Sequence, residues 1–202
     1  MHPPRRSPRP LAGGLHGVDN DAAELLPVAK IPASIRIRRA TLDDADGIAR
    51  VHVSAWHDNF RGLIADSMIE DRTLERRQGL WQRVLTEGSA LVFVADDSGT
   101  VAGFASAVRL IPAVDGFDAY LQAIYVRSES KSLGLGESLM RALAAELVKR
   151  GCSNLALRTL RRGDARGFYE RLGARVVSDG FGLNGGTFDD VVYAFDDIKR
   201  LT

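Results

Sequence analysis

The feature that most constrains this chain is a glycine-containing loop between an apolar strand and a long amphipathic helix. The strand pattern covers Tyr120–Val126, and the helix pattern covers Glu137–Arg150 with apolar residues at helical spacing. Between them lies the run K-S-L-G-L-G, from Lys131 to Gly136. Glycines let the chain bend tightly and let a ligand approach the backbone N–H groups. The N–H groups that open a helix lack internal partners and attract anions, so the run predicts a phosphate or pyrophosphate site with Lys131 as its cationic neighbour.

This run differs from the two standard glycine-rich phosphate motifs. It lacks the third glycine of G-x-G-x-x-G and the G-K-[ST] ending of a P-loop. On spacing alone, a plain loop with flexible glycines is an equal alternative. The rest of the chain must therefore decide between the two interpretations.

The remaining hydrophobic pattern predicts a mixed α+β domain. Alternation predicts a strand at Ile35–Ile37, and the T-x-x-D run Thr41–Asp44 predicts a helix start. A second helix is expected over residues 67–86, and a β-hairpin over residues 91–105. The full predicted order is β-α-α-β-β-β-α-β-α-β-β, which contains one parallel crossover because a strand, a long helix and another strand follow in sequence.

Composition narrows the class of protein. Residues 1–33 are rich in proline, arginine and glycine and predict a disordered or loosely attached extension before a domain at 34–202. A net charge of +1 argues against a general nucleic-acid binder. The single cysteine, Cys152, predicts a reducing compartment, here the cytoplasm. Apolar runs fall well short of the ~20 residues that span a bilayer, and no His/Cys cluster has metal-ligand spacing, so we expect neither a membrane protein nor a metal site.

Several segments resemble, in the same order, the GNAT superfamily of N-acetyltransferases. The run K-S-L-G-L-G is similar to the family's acyl-CoA signature Q/R-x-x-G-x-G/A, and Ile124–Val126 resembles its fourth strand. Asp164–Ala174 is similar to the family's A-R-x-F-Y-E-x-L-G-F/A segment, and Ile37–Ala45 to its opening R-x-A-x-x-x-D-A. His52–Trp56 also resembles part of its first helix. The resemblance covers about residues 34–198 and implies a mixed, mostly antiparallel central sheet flanked by helices, with splayed strands 4 and 5.

The resemblance also implies acetyl transfer from acetyl-CoA directly to a primary amine of a small molecule or peptide. The pyrophosphate would lie on the backbone of Leu133–Gly136, and the pantetheine arm would pair with strand Ile124–Val126. The Val126 N–H would bind the thioester oxygen and stabilise the tetrahedral oxyanion. Tyr169 matches the tyrosine that protonates the leaving thiolate. The cofactor-binding residues implied by the match are Ile124, Tyr125, Val126, Lys131, Ser132, Leu133, Gly134, Leu135 and Gly136.

The sequence identifies the residues that bind the acceptor amine less clearly than those that bind the cofactor. Trp56 and Phe60 resemble residues that line the acceptor pocket, with packing in the core as the equal alternative. Tyr120 and Gln122 are expected on one face of the same strand, toward the acceptor. His52 lies on the apolar stripe of the first helix, which favours a packed core histidine over a catalytic one.

The acceptor amine must lose a proton before it can attack, because its ammonium form has no lone pair. Relatives often carry a glutamate where Tyr120 stands, so Asp115, Asp118 or a relayed water is left as the base. Asp189 and Asp190 hint at a cationic acceptor, although a solvated turn is the favoured interpretation for both.

Two departures from the family pattern keep other functions open. Lys131 stands where the family has Gln or Arg, and Tyr120 stands where many members have Glu. The alternatives are an acyl-CoA-binding sensor without transfer activity and a partner domain that the cofactor only stabilises. Tyr169 favours the enzyme. By analogy, the family also suggests a homodimer.

Overall fold

The computed structural model describes residues 31–178 and 189–202. The turn expected at Asn184–Gly186 and nearly all of the extension expected at 1–33 lie outside the described residues. Ile31 is partly buried against the main core. The strands are β1 (Ile35–Arg39), β2 (Leu91–Asp97), β3 (Thr100–Val114), β4 (Phe117–Val126), β5 (Leu155–Leu160), β6 (Arg175–Ser178) and β7 (Asp190–Phe195).

The strands form one sheet in the order β1-β2-β3-β4-β5-β7-β6. Every neighbouring pair is antiparallel except β4 and β5, which run parallel. The predicted mixed, mostly antiparallel sheet with one parallel crossover is therefore confirmed. The α-helices are α1 (Ala45–Phe60), α2 (Asp66–Glu70), α3 (Leu74–Glu87), α4 (Leu135–Lys149) and α5 (Ala165–Arg171).

The single helix expected over residues 67–86 is wrong, because the chain forms two helices there. Thr73 has an extended backbone, and its hydroxyl accepts the Arg76 N–H at 3.3 Å, so it caps the start of α3. A threonine in this role ends the preceding helix and begins the next. The apolar spacing runs through the break, which is why the pattern alone did not separate α2 from α3.

The T-x-x-D start before α1 is confirmed as a capping box. The Thr41 N–H donates to the Asp44 carboxylate at 2.7 Å, and Arg38 donates two hydrogen bonds of 2.8 Å to the same group. Burial alone would raise the pKa of Asp44, but these hydrogen bonds outweigh it and lower the pKa. The box and the arginine together fix where α1 leaves β1.

Helices pack on both faces of the sheet. On one face α4 buries Leu139, Met140 and Leu143 against the central strands. On the other face α1 and α3 enclose a second core around Phe104 and Trp81. Among the described residues, no helix combines the length and the apolar character needed to cross a membrane.

The sheet opens between β4 and β5. In the described part of the chain, the two strands pair only at Tyr120 and Leu121 of β4. The following residue, Gln122, is an extra residue in the β3–β4 ladder, where the register shifts. Such a bulge bends a strand and increases its twist, so β4 turns away while β5 continues to pair with β7 as far as Leu160. The splayed strands 4 and 5 are thus confirmed, and the bulge supplies their physical cause.

Candidate active site

The loop before α4 presents unpaired backbone N–H groups at the open end of the sheet. Ser132 and Gly134 both adopt positive φ, of 66° and 74°, which turns the chain sharply into the helix. Among the described residues, no hydrogen bond is donated by the N–H groups of Ser132, Leu133 or Gly134. The first N–H groups of α4 also lack helical partners. Because α4 follows β4, this cradle lies where β4 and β5 separate, which is the usual ligand position at the carboxyl ends of parallel strands.

The two glycines of the run have different roles. Gly134 supplies the left-handed backbone at the N-cap of α4. Gly136 supplies room, because a Cβ there would lie 3.2 Å from the ring of Phe168 on α5. The second glycine therefore lets α4 pack closely on the helix that carries Tyr169.

Lys131 lies at the surface beside the end of α1. Its Nζ donates to the side-chain oxygen of Asn59 at 3.1 Å, and nearby Ser128 donates to Asp58 at 2.6 Å. In the described ranges Lys131 forms no ion pair, so its charge is available to an anion at the loop.

The far half of β4 has a free hydrogen-bonding edge. The N–H of Arg127 donates to the Ala102 carbonyl on β3 at 2.9 Å. Backbone groups alternate in direction along a strand, so those of Val126 and Ile124 point the opposite way, toward the departed β5. The sequence-predicted strand Ile124–Val126 therefore borders the opening with unpaired N–H and C=O groups.

Tyr169 is buried on α5, on the α4 side of the sheet. Among the described residues its hydroxyl has no hydrogen-bond partner. Burial raises its pKa well above the usual range, and the neighbouring hydroxyls of Tyr125 and Tyr120 raise it further. Its phenol therefore stays protonated and lies within electrostatic range of two side chains of β4.

A polar contact holds the helix that carries Tyr169. Arg166 donates to the Tyr193 hydroxyl at 2.9 Å, and that hydroxyl donates to Glu170. Tyr193 is on β7, so both ends of α5 are tied to the sheet.

Trp56, Phe60 and Tyr125 come together on the opposite face. The Trp56 indole N–H donates to the Tyr125 hydroxyl at 3.1 Å, and the rings of Trp56 and Phe60 are 4.5 Å apart between centroids. Burial raises the pKa of Tyr125 to about 12, although the hydrogen bond from Trp56 lowers it in part. The half-buried Trp56 and Phe60 thus form a wall next to the strand that contains Val126.

Tyr120 and Gln122 lie elsewhere on β4. Tyr120 packs in a separate cluster with Ala156 and Ala194, and burial raises its pKa. The side chain of Gln122 is exposed at the bulge and accepts the Ser106 hydroxyl at 3.1 Å. The structure therefore does not group these two side chains with Trp56 and Phe60.

The acidic residues proposed as bases occupy structural positions. Asp115 lies in the exposed β3–β4 turn, and Asp118 accepts the Ser153 N–H at 2.8 Å. Asp118 is eight residues before Val126, about 26 Å along an extended strand. Asp190, favoured from the sequence as a solvated turn, is instead the first residue of β7.

Asp190 is a half-buried carboxylate near Tyr120. Its side chain is 11% exposed and lies 3.4 Å from the Arg158 guanidinium. Burial raises its pKa, and Arg158 offsets only part of that increase. In the sequence alone, Asp190 only hints at a cationic acceptor and a solvated turn is favoured, because the residue follows shortly after the turn-like sequence Asn184–Gly186.

Two arginines that the sequence analysis did not single out lie within electrostatic range of the Tyr125 hydroxyl. The Arg72 guanidinium is 3.4 Å from the centroid of the Trp56 ring, and it donates to the Met68 carbonyl at 2.5 Å. The Nε of Arg77 is buried without a hydrogen-bond partner. Burial lowers the pKa of both arginines. Arginines on an amphipathic helix usually face solvent, so the pattern contained no signal for this placement.

His52 is a packed histidine, as the helical stripe predicted. It is buried among the surrounding rings, and its Nδ1 accepts the Trp81 indole N–H at 3.1 Å. Burial lowers its pKa to about 3, with further lowering from the charges of Arg77 and Arg72. The ring is therefore neutral at physiological pH.

Comparison with known proteins agrees with this geometry. Residues 51–174 match the acetyltransferase (GNAT) family model. The chain is 28% identical over 169 residues to the uncharacterized N-acetyltransferase YuaI of Bacillus subtilis (strain 168), covering 83% of this chain and 96% of that protein. It is 34% identical over 104 residues to the chloroplastic serotonin N-acetyltransferase 2 of Oryza sativa subsp. japonica, covering 52% of this chain and 51% of that one.

Solved structures share the fold. The PaiA N-acetyltransferase of Thermoplasma acidophilum, in complex with coenzyme A, superimposes with a TM-score of 0.66 at 20% identity, over 80% of this chain and 98% of its own. YncA of Salmonella typhimurium, with its cofactor acetyl-CoA, gives a TM-score of 0.57 at 19% identity, over 80% and 93% of the two chains. The family match covers more than half of the sequence and confirms the resemblance, including the acyltransferase class: this chain belongs to the GNAT family of acetyltransferases.

Proposed function

We propose that this chain transfers the acetyl group of acetyl-CoA directly to a primary amine of a small molecule or peptide. The observation that carries the proposal is the opening between β4 and β5. Unpaired backbone groups of Ile124 and Val126 border it, and the free N–H groups that open α4 lie at its end. Membership in the GNAT family supports acetyl-CoA as the donor.

The residues of the opening fit coenzyme A in chemistry as well as in position. The N–H groups of Leu133–Gly136 would donate to the pyrophosphate, with the charge of Lys131 nearby. The edge of β4 at Ile124 and Val126 would pair with the amides of the pantetheine arm, as an added strand does. This binding uses backbone groups, so the change from Gln or Arg to Lys131 alters one charged neighbour and leaves the cradle intact.

Val126 and Tyr169 would act on the reacting thioester. The Val126 N–H would donate to the thioester oxygen as that oxygen gains negative charge, a contact worth about 3–4 kcal/mol in comparable sites. Tyr169 stays protonated, so it would donate a hydrogen bond to the departing sulfur. The new C–N bond replaces the C–S bond, and the proton lost by the attacking nitrogen balances the one gained by the thiolate.

Asp190 is our candidate for the first proton transfer. Its raised pKa makes it a better proton acceptor than an ordinary aspartate, and its charge acts on the neighbouring Tyr120. An ammonium ion with a pKa of ~10.4 must lose its proton to such a group, directly or through water, before attack.

A thermal-shift measurement followed by an amine-panel assay tests the proposal. We expect coenzyme A to raise the melting temperature, and acetyl-CoA with an accepted amine to release free thiol. A melting shift without thiol release from any amine would support an acyl-CoA sensor instead. The absence of any shift would contradict the loop assignment itself. Longer acyl-CoAs in the same assay measure the acyl preference.

The homodimer suggested by the family and the cytoplasmic location stay predictions. Light scattering coupled to size exclusion measures the first, with a mass of one chain as the contradicting result. A fluorescent fusion imaged in its native cell tests the second.

A further inference from the structure

Two half-buried arginines within electrostatic range of the Tyr125 hydroxyl, Arg72 and Arg77, form no ion pair among the described residues. We infer that the acceptor amine carries an anionic group, a carboxylate or a phosphate, which binds between Arg72 and Arg77. This inference rests on the proposed function, because it names the class of acceptor for the same site.

Arg72 is connected to the reacting strand by a short series of contacts. Its guanidinium lies 3.4 Å from the Trp56 ring centroid, and the Trp56 N–H bonds to the Tyr125 hydroxyl at 3.1 Å. Tyr125 directly precedes Val126, whose N–H borders the opening. An acceptor with its amine at the opening would thus have the aromatic wall and then a guanidinium along its length.

Among the described residues, the nearby negative charge acts on these two arginines only from beyond ion-pair distance. Over residues 31–178 and 189–202, no ion pair involves Arg72 or Arg77, and the buried Nε of Arg77 has no hydrogen-bond partner. Asp71 is exposed and pairs with Arg76, and its charge acts on Arg72 and Arg77 without forming an ion pair with either. Burying an unpaired cation costs free energy, and an anionic ligand would offset that cost.

The two charges converge on the same region. The guanidinium of Arg77, after burial, contributes to the lowered pKa of Arg72. Both arginines also act on His52 and on Tyr125, where they oppose the effect of burial on the phenol. Two guanidinium groups close to one another suit a carboxylate or a phosphate, because each presents several N–H donors in a rigid fork.

The positive charges of Arg72 and Arg77 also affect the protonation of the acceptor amine. Nearby positive charge disfavours the ammonium form, so an amine bound here loses its proton more readily. Polycationic amines are repelled for the same reason. The acceptor that fits is therefore an amine with a carboxylate or phosphate at its other end.

Fluorescence titration of the CoA-saturated protein tests the inference directly, because Trp56 stacks on Arg72. The probes are two matched pairs: 4-(2-aminoethyl)benzoate with phenethylamine, and O-phosphoethanolamine with ethanolamine. We expect a saturable change with an anionic member and at least about tenfold weaker binding of its uncharged-end partner. The pair that shows this difference identifies the bound group as a carboxylate or as a phosphate. No saturable signal from either anionic probe, or equal binding within both pairs, would overturn the inference.

Substitution of each arginine tests whether that residue binds the anionic probe. Arg72→Gln and Arg77→Gln should each weaken the anionic probe about tenfold or more. Arg83→Gln removes an exposed arginine on α3, the helix that carries Arg77, and should leave the affinity for the probe unchanged. The CoA-induced melting shift in each variant shows that it folds, and the same loss in all three variants would contradict the assignment. If wild-type protein shows no CoA shift, the proposed function fails, which is a different outcome from a CoA shift without anion binding.

In the thiol-release assay, the anionic probe should have a lower KM than the matched probe that lacks the anionic group. The arginine variants should raise that KM and leave kcat within severalfold. A change in kcat alone would argue for a structural effect.

Discussion

The cofactor side and the acceptor side proposed for this site are built from different parts of the chain. On the cofactor side, the groups offered to a ligand are backbone N–H and C=O groups of the loop Lys131–Gly136 and of β4. On the acceptor side they are side chains, chiefly Trp56, Arg72 and Arg77. Backbone groups are the same in every residue, so the first side depends on chain shape. The second depends on side-chain identity, which is where specificity is set.

The largest expected effect comes from a substitution that distorts the loop before α4. Gly134 has φ of 74°, which a β-branched residue adopts only with strain. We expect Gly134→Val to weaken CoA binding roughly 100-fold or more, measured by calorimetry. Gly151→Val is the matched control, since Gly151 has φ of 83° at the other end of α4, with open space around it. The control should lower the melting temperature and keep CoA affinity; undiminished affinity in Gly134→Val would disprove the loop assignment.

A substitution at Tyr169 should lower the turnover rate without weakening CoA binding. Tyr169→Phe keeps the ring and removes the proton donor, so kcat should fall about 100-fold while CoA affinity persists. Tyr193→Phe removes a neighbouring hydroxyl that holds α5, and it should reduce stability more than turnover. Equal losses of kcat and CoA affinity in Tyr169→Phe would show that this tyrosine is structural.

Acid should destabilise the acceptor side through His52. An unfolded histidine binds a proton near pH 6.5, whereas the folded His52, with a pKa of about 3 and with Arg72, Arg77 and Tyr125 around it, does not. The unfolded state therefore binds more protons between these values, and stability falls as pH falls. We expect a loss of about 2 kcal/mol from this group between pH 7.5 and pH 5, measured by urea unfolding.

His52→Gln provides the comparison for that measurement. Its side-chain oxygen can still accept the Trp81 N–H, but it does not titrate. The variant should be less stable at neutral pH and should lose less stability on acidification. Parallel pH curves for the two proteins would count against a buried neutral His52.

The smallest expected effect concerns the aromatic wall. Trp56→Phe removes the N–H that bonds to Tyr125 and weakens the stacking with Arg72, so the acceptor KM should rise about fivefold. CoA affinity should not change. Ser54→Ala, exposed on the same helix, is the control and should leave KM unchanged. An unaltered KM in Trp56→Phe would place the acceptor elsewhere.

Much of the cofactor side could be predicted because its determinants are local. The strand, the loop with Gly134 and Gly136, and the helix lie within about thirty residues of one another. The strand and the helix each show a single hydrophobic period. The helix began at Leu135, two residues earlier than predicted, and β4 began at Phe117, three residues earlier than its pattern. Such differences do not move the cradle, because its shape depends on the positive φ values.

The acceptor side could not be predicted to the same depth. Arg77 resembles any solvent-facing arginine of an amphipathic helix until α3 packs beside α1. Asp190 resembles a turn residue until β7 pairs with β5. In both cases the decisive neighbour comes from a distant part of the chain.

The sequence by itself determined the strand–loop–helix unit, the parallel crossover and the family, since glycine backbone freedom and hydrophobic periodicity act over a few residues. The tertiary structure alone decided that Gln122 forms the bulge that opens the sheet, and that Arg72 and Arg77 both come near Tyr125. Those outcomes depend on strand register and on burial by other elements. Burial changes the free energy of a charged side chain, and a sequence pattern does not specify which charges become buried together.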